Sequence, residues 1–250
     1  MQSILDIPQL PDSFLLIGTP GAGKTTLAIQ LAVAQGKKIG ILDLDRNLAG
    51  PVRYLKSLGN SCDLSNIKVT DPYTDKTGKI LDRLDRFERA MECLDEMITD
   101  KDIDFILVDS ATSLVEFVLD KVRKDASGKT PPRVGDNRKV LAGSLRMEDW
   151  GTFFGVMKKI IFEVKGSGKS NCWTCHIRPD KDEMLGITQY FIAIPGQTST
   201  VISSWFSEAW LVEAITEGLG SAIKTVRKIR TVGDRNSQPL GLKTSCPLPA

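Results

Sequence analysis

The sequence predicts an α/β fold, with a mostly parallel central sheet flanked by helices and a late antiparallel hairpin. Three observations predict this fold. Short apolar runs typical of buried strands alternate with segments in which apolar residues recur every three or four positions, as in helices. A glycine-rich loop joins the first predicted strand, 14–17, to the first predicted helix, 26–35. The length of 250 residues suits one domain of this kind.

The composition is that of a globular protein, with 41% hydrophobic and 26% charged residues. The net charge of +2 is too small to indicate a nucleic-acid partner, so that indication must come from local clusters. Five cysteines, and no cationic and apolar leader in residues 1–12, predict a reducing, cytoplasmic location. No apolar run approaches the ~18 residues that a membrane helix needs, so we expect no membrane partner.

The loop at 18–25 matches the phosphate-binding pattern G-x-x-x-x-G-K-[ST]. Its glycines allow consecutive backbone N–H groups to curl around a phosphate. We expect Lys24 to reach the β- and γ-phosphates of ATP and Thr25 to ligate Mg²⁺, with the helix dipole behind them. Thr19 stands where the deviant loop of partition-type ATPases has a lysine, which disfavours that class. The predicted nucleotide-binding residues are Gly18, Thr19, Pro20, Gly21, Ala22, Gly23, Lys24, Thr25 and Thr26.

The second predicted strand, 39–45, is apolar until its C-terminal end, where Asp43 and Asp45 stand. Ligands of open parallel sheets bind at the carboxyl ends of strands. Alternation places both carboxylates on one strand face, where one of them could orient the water that attacks the γ-phosphate. We prefer Asp45 to Asp43 for this role. The alternative is a strand end that pairs with a neighbouring lysine.

A helix and a further strand follow. Apolar residues between 80 and 98 recur at helical spacing, which predicts an amphipathic helix that covers the sheet. These residues are Ile80, Leu81, Leu84, Phe87, Met91, Leu94, Met97 and Ile98. The strand 103–109 is largely apolar and ends in Asp109. This is the Walker B pattern, in which the carboxylate arranges Mg²⁺ together with Thr25.

Two polar stretches in the second half are candidates for contact with nucleic acid. Residues 121–146 are rich in cations among glycine, proline and serine, which predicts a mobile basic loop suited to a phosphate backbone. Residues 178–197 form a second predicted loop, in which Tyr190 and Phe191 could stack on single-stranded bases. The alternatives are a solvated insertion for the first stretch and packing against the domain for the second.

Residues 171–176 read as a strand that ends at His176, the only histidine. The pattern Cys172-x-x-Cys175-His176 invites a zinc site, but a structural zinc ion needs four ligands and the other cysteines are scattered. We therefore expect Cys172 and Cys175 to be core residues. His176 is either a sensor of the γ-phosphate or a structural residue.

The last predicted elements are the arms of a hairpin, 209–212 and 222–231. Alternation on the second arm puts Lys224, Lys228 and Arg230 on one face. Residues 233–250 read as a loose polar tail after a domain that spans 1–232.

This order of motifs resembles the RecA-like core of P-loop NTPases over roughly residues 12–232. Within that superfamily the chain is most similar to phage-encoded nucleotide-binding proteins that act as single-strand annealing proteins. Besides the phosphate-binding loop, four motifs carry the resemblance: Ile-Leu-Asp-Leu-Asp at 41–45, Ile-Leu-Val-Asp-Ser at 106–110, Asp-Trp-Gly at 149–151 and Cys-His-Ile-Arg at 175–178.

The resemblance implies further catalytic roles. Asp45 stands where RecA-like proteins place a catalytic glutamate, and its shorter side chain weakens the expectation of efficient hydrolysis. His176 stands at the polar γ-phosphate sensor. Lys228 and Arg230 match a Lys-x-Arg pair that reaches the nucleotide of a neighbouring subunit. The resemblance therefore implies a homo-oligomer, ring or filament, with shared active sites.

The resemblance also makes the stretches 121–146 and 178–197 the two DNA-binding loops. The leading hypothesis is an ATPase that binds single-stranded DNA for recombination or strand annealing, beside a single-strand-binding protein and in the host cytoplasm if phage-encoded. A hexameric helicase or DNA-packaging motor is the alternative within the same class. A small-molecule P-loop kinase and a nucleotide-binding structural module are the other classes, whereas the lack of an Asn-Lys-x-Asp motif disfavours a GTPase.

Overall fold

The apolar runs of the sequence form strands of one sheet in the computed structural model, which describes residues 12–59, 64–127, 145–182, 186–218 and 224–245. In chain order the strands are β1 (Ser13–Gly18), β2 (Ile39–Asp43), β3 (Ile67–Thr70), β4 (Phe105–Asp109), β5 (Ser170–Asp182), β6 (Ile187–Ile192), β7 (Glu208–Glu217) and β8 (Lys224–Arg230). Their order across the sheet is β3-β2-β4-β5-β1-β7-β8, and β6 pairs with the distal half of β5. Pairing is parallel except at β5–β6 and β7–β8. The predicted α/β class, with its late antiparallel hairpin, is confirmed.

Helices cover both faces of this sheet. They are α1 (Lys24–Ala34), α2 (Ala49–Ser57), α3 (Arg86–Thr99), α4 (Ala111–Ser127), α5 (Met147–Gly166) and α6 (Thr198–Val201). Leu15 and Ile17 of β1 lie in the core with α3, α4 and α5, whereas Phe14 and Leu16 lie in the core with α1 and α2. Central strands buried on both faces are continuously apolar rather than alternating. Among the described helices, none combines the length and apolar character that crossing a bilayer requires.

Two elements of the first half differ from the sequence prediction. β2 ends at Asp43, so Asp45 lies beyond the strand and the two carboxylates do not share a strand face. The helix predicted from residue 80 begins only at Arg86. Upstream of it, Ile80 is 70% exposed and Leu84 is 46% exposed. Helical spacing of apolar residues upstream of Arg86 therefore does not reflect burial.

The predicted basic loop is partly helical. α4 continues to Ser127, and its Lys121 lies 3.0 Å from Glu88 of α3. The first residues of this stretch are therefore fixed by helix and ion pair rather than mobile. Residues 128–144 lie outside the described part of the chain, so the rest of this prediction stays a prediction.

The second predicted loop, 178–197, is largely a hairpin. β5 runs on to Asp182, and β6 returns antiparallel to it from Ile187 to Ile192. β6 is rich in the β-branched and aromatic residues that suit a strand. Tyr190 packs, partly buried, against the core, which favours the packing alternative for this ring.

The predicted loose tail is packed over much of its length. Leu240 is fully buried, and its carbonyl accepts a hydrogen bond from the Ser203 hydroxyl at 2.5 Å. Lys243 exchanges two backbone hydrogen bonds of 3.0 Å with Ala209 of β7. Although the tail is mostly polar in composition, its Leu240 side chain belongs to the hydrophobic core. Residues 246–250 lie outside the described part.

The end of β1 lies against β7 at Gly18. A Cβ at this position would lie 2.3 Å from the carbonyl oxygen of Val212, a backbone atom that cannot rotate away. Gly155, exposed within α5, has no such neighbour within 4 Å of an added Cβ. The two glycines make a matched pair for substitution.

We expect Gly18→Ala to lower the free energy of unfolding by about 1–3 kcal/mol, because β7 must shift to admit the methyl group. Gly155→Ala is expected to raise that free energy by up to about 1 kcal/mol, because alanine has the higher helix propensity. Urea unfolding followed by circular dichroism measures both values. Similar values for the two variants would contradict the steric role of Gly18.

Candidate functional site

The carboxyl ends of β1, β2 and β4 meet at one edge of the sheet, beside His176 of β5 and a cleft of about 700 Å³. Parallel strands bring the residues that follow them to the same edge. The cleft is lined by five of the residues predicted to act in catalysis or metal binding: Lys24, Thr25, Asp45, Asp109 and His176.

The phosphate-binding loop is shaped by two glycines. Gly21 and Gly23 have φ angles of 78° and 100°, in the left-handed region that side chains disfavour. The loop residues that line the cleft are Pro20, Gly21, Gly23, Lys24, Thr25 and Thr26. Gly18, Thr19 and Ala22 support the loop from behind, where Ala22 is fully buried and its N–H donates to the Thr19 carbonyl at 3.2 Å.

Helix α1 begins at Lys24, directly after this loop. No side chain caps its first N–H groups, and its first turn contains no acidic residue. These N–H groups carry the positive end of the helix dipole. The helix therefore presents uncompensated positive charge to the cleft.

Lys24 is held by the loop that precedes it. Its Nζ donates to the carbonyl oxygens of Gly18 at 3.0 Å and Thr19 at 2.9 Å. The same Nζ lies 3.3 Å from Nδ1 of His176. Burial lowers the pKa of the ammonium, and the charge of Asp109 opposes that shift. The ammonium is thus fixed at the bottom of the cleft.

Thr25 and Asp109 form a hydrogen-bonded pair. The Thr25 hydroxyl donates to Oδ2 of Asp109 at 2.8 Å, and the Thr174 hydroxyl of β5 donates to Oδ1 at 2.5 Å. Burial raises the pKa of Asp109, and the two hydroxyl donors oppose that shift. The sequence analysis missed Thr174, whose only signal is a hydroxyl within a buried strand.

Asp45 is the acceptor of a second group of donors. Ser113 and Ser110 donate to its Oδ1, the latter at 2.9 Å, and Nε2 of His176 lies 3.3 Å from its Oδ2. Burial alone would raise the pKa of Asp45, but the hydrogen bonds from His176 and the two serines outweigh it and lower the pKa. In the sequence Ser110 is part of the Ile-Leu-Val-Asp-Ser motif without a predicted role, and Ser113 is not singled out, although hydroxyl residues directly after Asp109 were a visible signal.

His176 bridges the two halves of the site. One ring nitrogen faces Lys24 and the other faces Asp45. Its backbone N–H donates to the Thr112 hydroxyl at 2.9 Å. The prediction that His176 ends its strand is wrong, because β5 continues to Asp182; His176 is the last residue of β5 that pairs with β1.

Asp43 lies behind the cleft rather than in its lining. It stands opposite Asp109 in the β2–β4 register, and its buried Oδ1 has no hydrogen-bond partner. Burial, followed by the charge of Asp109, raises the pKa of Asp43 to about 6. Asp43 is therefore a buried acid whose charged form is poorly stabilised.

The oxygen atoms at this edge suit a magnesium ion as ligands. Mg²⁺ prefers hard oxygen ligands, which Thr25 and Asp109 supply, and the unpartnered Oδ1 of Asp43 lies beside them on the next strand. Within the described ranges no group of three or more His, Cys, Asp or Glu side chains could hold a metal ion by itself. The ion would therefore take its remaining ligands from phosphate and water.

The two cysteines of β5 are core residues, as the sequence predicts. Cys172 and Cys175 are fully buried and lie in the cores on opposite faces of the sheet. Burial raises the pKa of Cys175 to about 12.

The predicted basic pair on β8 does not line the cleft of its own chain. Lys228 lies 2.7 Å from Glu217, and Arg230 lies 3.0 Å from Glu213. The cation of β8 that does line the cleft is Arg227, on the other face of the strand. The sequence analysis missed Arg227, although alternation along β8 would have separated it from its neighbours.

We expect Asp43→Asn to raise the free energy of unfolding by roughly 1–3 kcal/mol at about pH 8. The folded pKa of about 6 exceeds the ordinary value of 3.8, so the folded protein penalises the carboxylate. The penalty grows as pH rises from about 4 to about 6 and is complete above that range. Urea unfolding of both proteins should therefore show most of the gain lost at about pH 4.5. An equal gain at both pH values would contradict this assignment.

Part of the chain is similar to known ATPases. Residues 17–123 match the family model described as "ATPase MipZ". The proteins named RecA from Thermotoga neapolitana and Thermotoga maritima are each 34% identical to this chain over 104 residues. That segment is 40% of this chain and about a quarter of each relative, 25% and 24% respectively.

Two solved structures are distantly similar. The RadB recombinase is 15% identical with a TM-score of 0.46, over 82% of this chain and 75% of that one. A KaiC-like protein from Pyrococcus horikoshii OT3 is 14% identical with a TM-score of 0.45, over 88% of this chain and 79% of that one. The sequence matches support a RecA-like P-loop ATPase fold.

Proposed function

We propose that this protein binds ATP with Mg²⁺ in the cleft and hydrolyses it as a RecA-like ATPase. One observation carries the proposal: Lys24, the Thr25–Asp109 pair and the Asp45–His176 pair converge at the uncapped start of α1. These groups would serve as a phosphate ligand, a metal ligand and a water-orienting carboxylate, the three parts that phosphoryl transfer uses.

Substrate binding follows from groups that the loop already orients. The N–H groups of residues 21–26 would surround the phosphates, and Lys24 would exchange its two carbonyl partners for phosphate oxygens. A Mg²⁺ ion bound by Thr25 and Asp109 would neutralise charge on the phosphate oxygens. Tyr54 of α2, which is 44% exposed and lines the cleft, offers a ring face to the base.

Asp45 would orient water for in-line attack on the γ-phosphate, which yields ADP and phosphate. Its Oδ1 already accepts from two serines, whereas Oδ2 faces only His176 among the described residues and has a lone pair left to accept the water. His176 contacts both Lys24 and Asp45. A phosphate that draws Lys24 away from His176 would therefore change the hydrogen bonding of Asp45.

The DNA-directed part of the proposal is that this ATPase binds single-stranded DNA in recombination or strand annealing. The resemblance described above and the similarity to RecA proteins over 104 residues support it. Geometry adds that the β5–β6 hairpin, with exposed Arg178 and Lys181, continues directly from His176. Cations of such a hairpin suit a phosphate backbone close to the nucleotide.

The proposal includes self-association. Lys228 and Arg230 would reach the nucleotide of a neighbouring subunit in a ring or filament, after their ion pairs with Glu217 and Glu213 open. A single-strand-binding protein as partner and a phage origin belong to the same proposal.

Asp45→Asn is expected to lower ATP turnover by at least about 100-fold while nucleotide affinity changes little, because the amide cannot accept the proton. Phosphate release measures turnover, and a fluorescent ATP analogue measures affinity. Asp45→Glu should retain turnover, and Lys24→Ala is the blank. Wild-type turnover in Asp45→Asn would remove Asp45 from the mechanism.

Single-stranded DNA is expected to stimulate ATP turnover, and the stimulation should fall steeply as salt rises, because counterions compete for the phosphate backbone. Turnover is measured with and without an oligonucleotide across a salt series, with Lys24→Ala as the blank. Turnover indifferent to DNA would contradict the DNA-directed part of the proposal and would direct attention to acceptor screens for a kinase.

A further inference from the structure

Arg227 lies over the phosphate-binding loop of its own chain. It stands on β8, an edge strand, opposite Ala214 of β7. A Cβ added to Gly23 would lie 2.7 Å from Nε and 2.9 Å from Cδ of Arg227, so the arginine packs directly on this glycine. Its Cζ also lies 5.7 Å from the centre of the Tyr54 ring, and both side chains line the cleft.

The backbone fixes the arginine in this position. β7 is parallel to β1, with Leu211 opposite Ile17 just before the loop departs. The carbonyl of Val212 approaches Gly18 so closely that no side chain fits between the strands. β8 pairs with β7 along its whole length. The registers of the β1–β7 and β7–β8 pairs therefore position Arg227 beside the loop.

Arg227 has positive groups of the loop beside it, whereas the carboxylates of the same cleft, Asp45 and Asp109, are engaged with other partners. Its neighbours Lys228 and Arg230 belong to the other face of β8 and pair with glutamates there. Among the described residues, no carboxylate lies within ion-pair distance of Arg227, whereas Lys24 and the uncapped start of α1 share its cleft. A guanidinium, an ammonium and a helix N-terminus repel one another unless an anion lies between them.

We propose that Arg227 binds the phosphate groups of the nucleotide held by its own chain. This inference rests on the proposed nucleotide binding and goes beyond it, because it adds to the polyphosphate site of each subunit a guanidinium from that subunit's own chain. The ligand class is a nucleoside di- or triphosphate, whose oxygens the guanidinium matches with paired N–H donors. Lys228 and Arg230, by contrast, would act on the nucleotide of the next subunit.

The first experiment measures the affinity of the full chain for mant-ATP with Mg²⁺. We expect Arg227→Ala to weaken binding about tenfold, and Arg227→Lys to weaken it less because the charge is retained. Lys224→Ala is the matched control, since it removes an exposed cation from the opposite face of the same strand and should stay within about twofold of wild type. Thermal melting verifies that the variants fold. An unchanged or higher affinity of Arg227→Ala would overturn the proposal.

A second experiment separates action within one chain from action between chains. Lys24→Ala keeps Arg227 but lacks the ammonium of the loop, whereas Arg227→Ala keeps the loop. Excess Lys24→Ala protein should leave the weakened affinity of Arg227→Ala unchanged. Recovery of wild-type affinity in the mixture would mean that a neighbour supplies the arginine, which overturns the proposal.

The inference and the proposed function fail in different ways. Wild-type protein that binds mant-ATP no better than Lys24→Ala overturns the nucleotide site, and the inference with it. Wild-type binding that Arg227→Ala reproduces in full overturns the inference alone.

Discussion

The structure depends on how a few hydrogen-bond donors are shared among three carboxylates at one edge of the sheet. Asp43, Asp45 and Asp109 are largely removed from water there, and an uncompensated buried ion costs several kcal/mol. The donors are Thr25 and Thr174 for Asp109, and Ser110, Ser113 and His176 for Asp45. Asp43 is left with an unpartnered oxygen, and its pKa rises to about 6. The arrangement concentrates negative charge directly beside the positive loop, which suits a site that must hold a metal ion and a polyphosphate together.

Strand β5 joins this chemistry to the hairpin beyond it. Thr174 donates to Asp109, and His176, two residues further and therefore on the same face, contacts Lys24 and Asp45. The carbonyl of His176 accepts a hydrogen bond of 2.8 Å from the Ala193 N–H, directly after the returning strand β6. A displacement of the histidine backbone would thus move both ends of the hairpin at once. Hydrogen bonds therefore connect the hairpin directly to residues of the proposed nucleotide site.

Sequence patterns predict the features that depend on local rules. Continuous apolar runs give the parallel strands, and glycine spacing gives the loop residues that line the cleft. Tertiary contacts decide the rest: Ile80 keeps helical spacing but is exposed, and Leu240 is one apolar residue in a polar tail that the core encloses. Asp45 is predicted from its position on a strand face, yet the structure places it beyond the strand, where serines and a histidine hold it. Those donors come from elements far apart in sequence, so no local pattern reveals them.

The β7–β8 hairpin carries cations on two faces, and the difference between those faces has a physical reason. Lys228 and Arg230 lie on the face that also carries glutamates of β7, so an isolated chain neutralises them. Arg227 faces the phosphate-binding loop, and among the described residues no carboxylate pairs with it, because Asp45 and Asp109 of the same cleft are engaged with other partners. A nucleotide between two subunits would then contact Arg227 of the chain that binds it and the basic pair of the next chain. The second contact would require the ion pairs of Lys228 and Arg230 to open, whereas Arg227 has no such pair to break among the described residues.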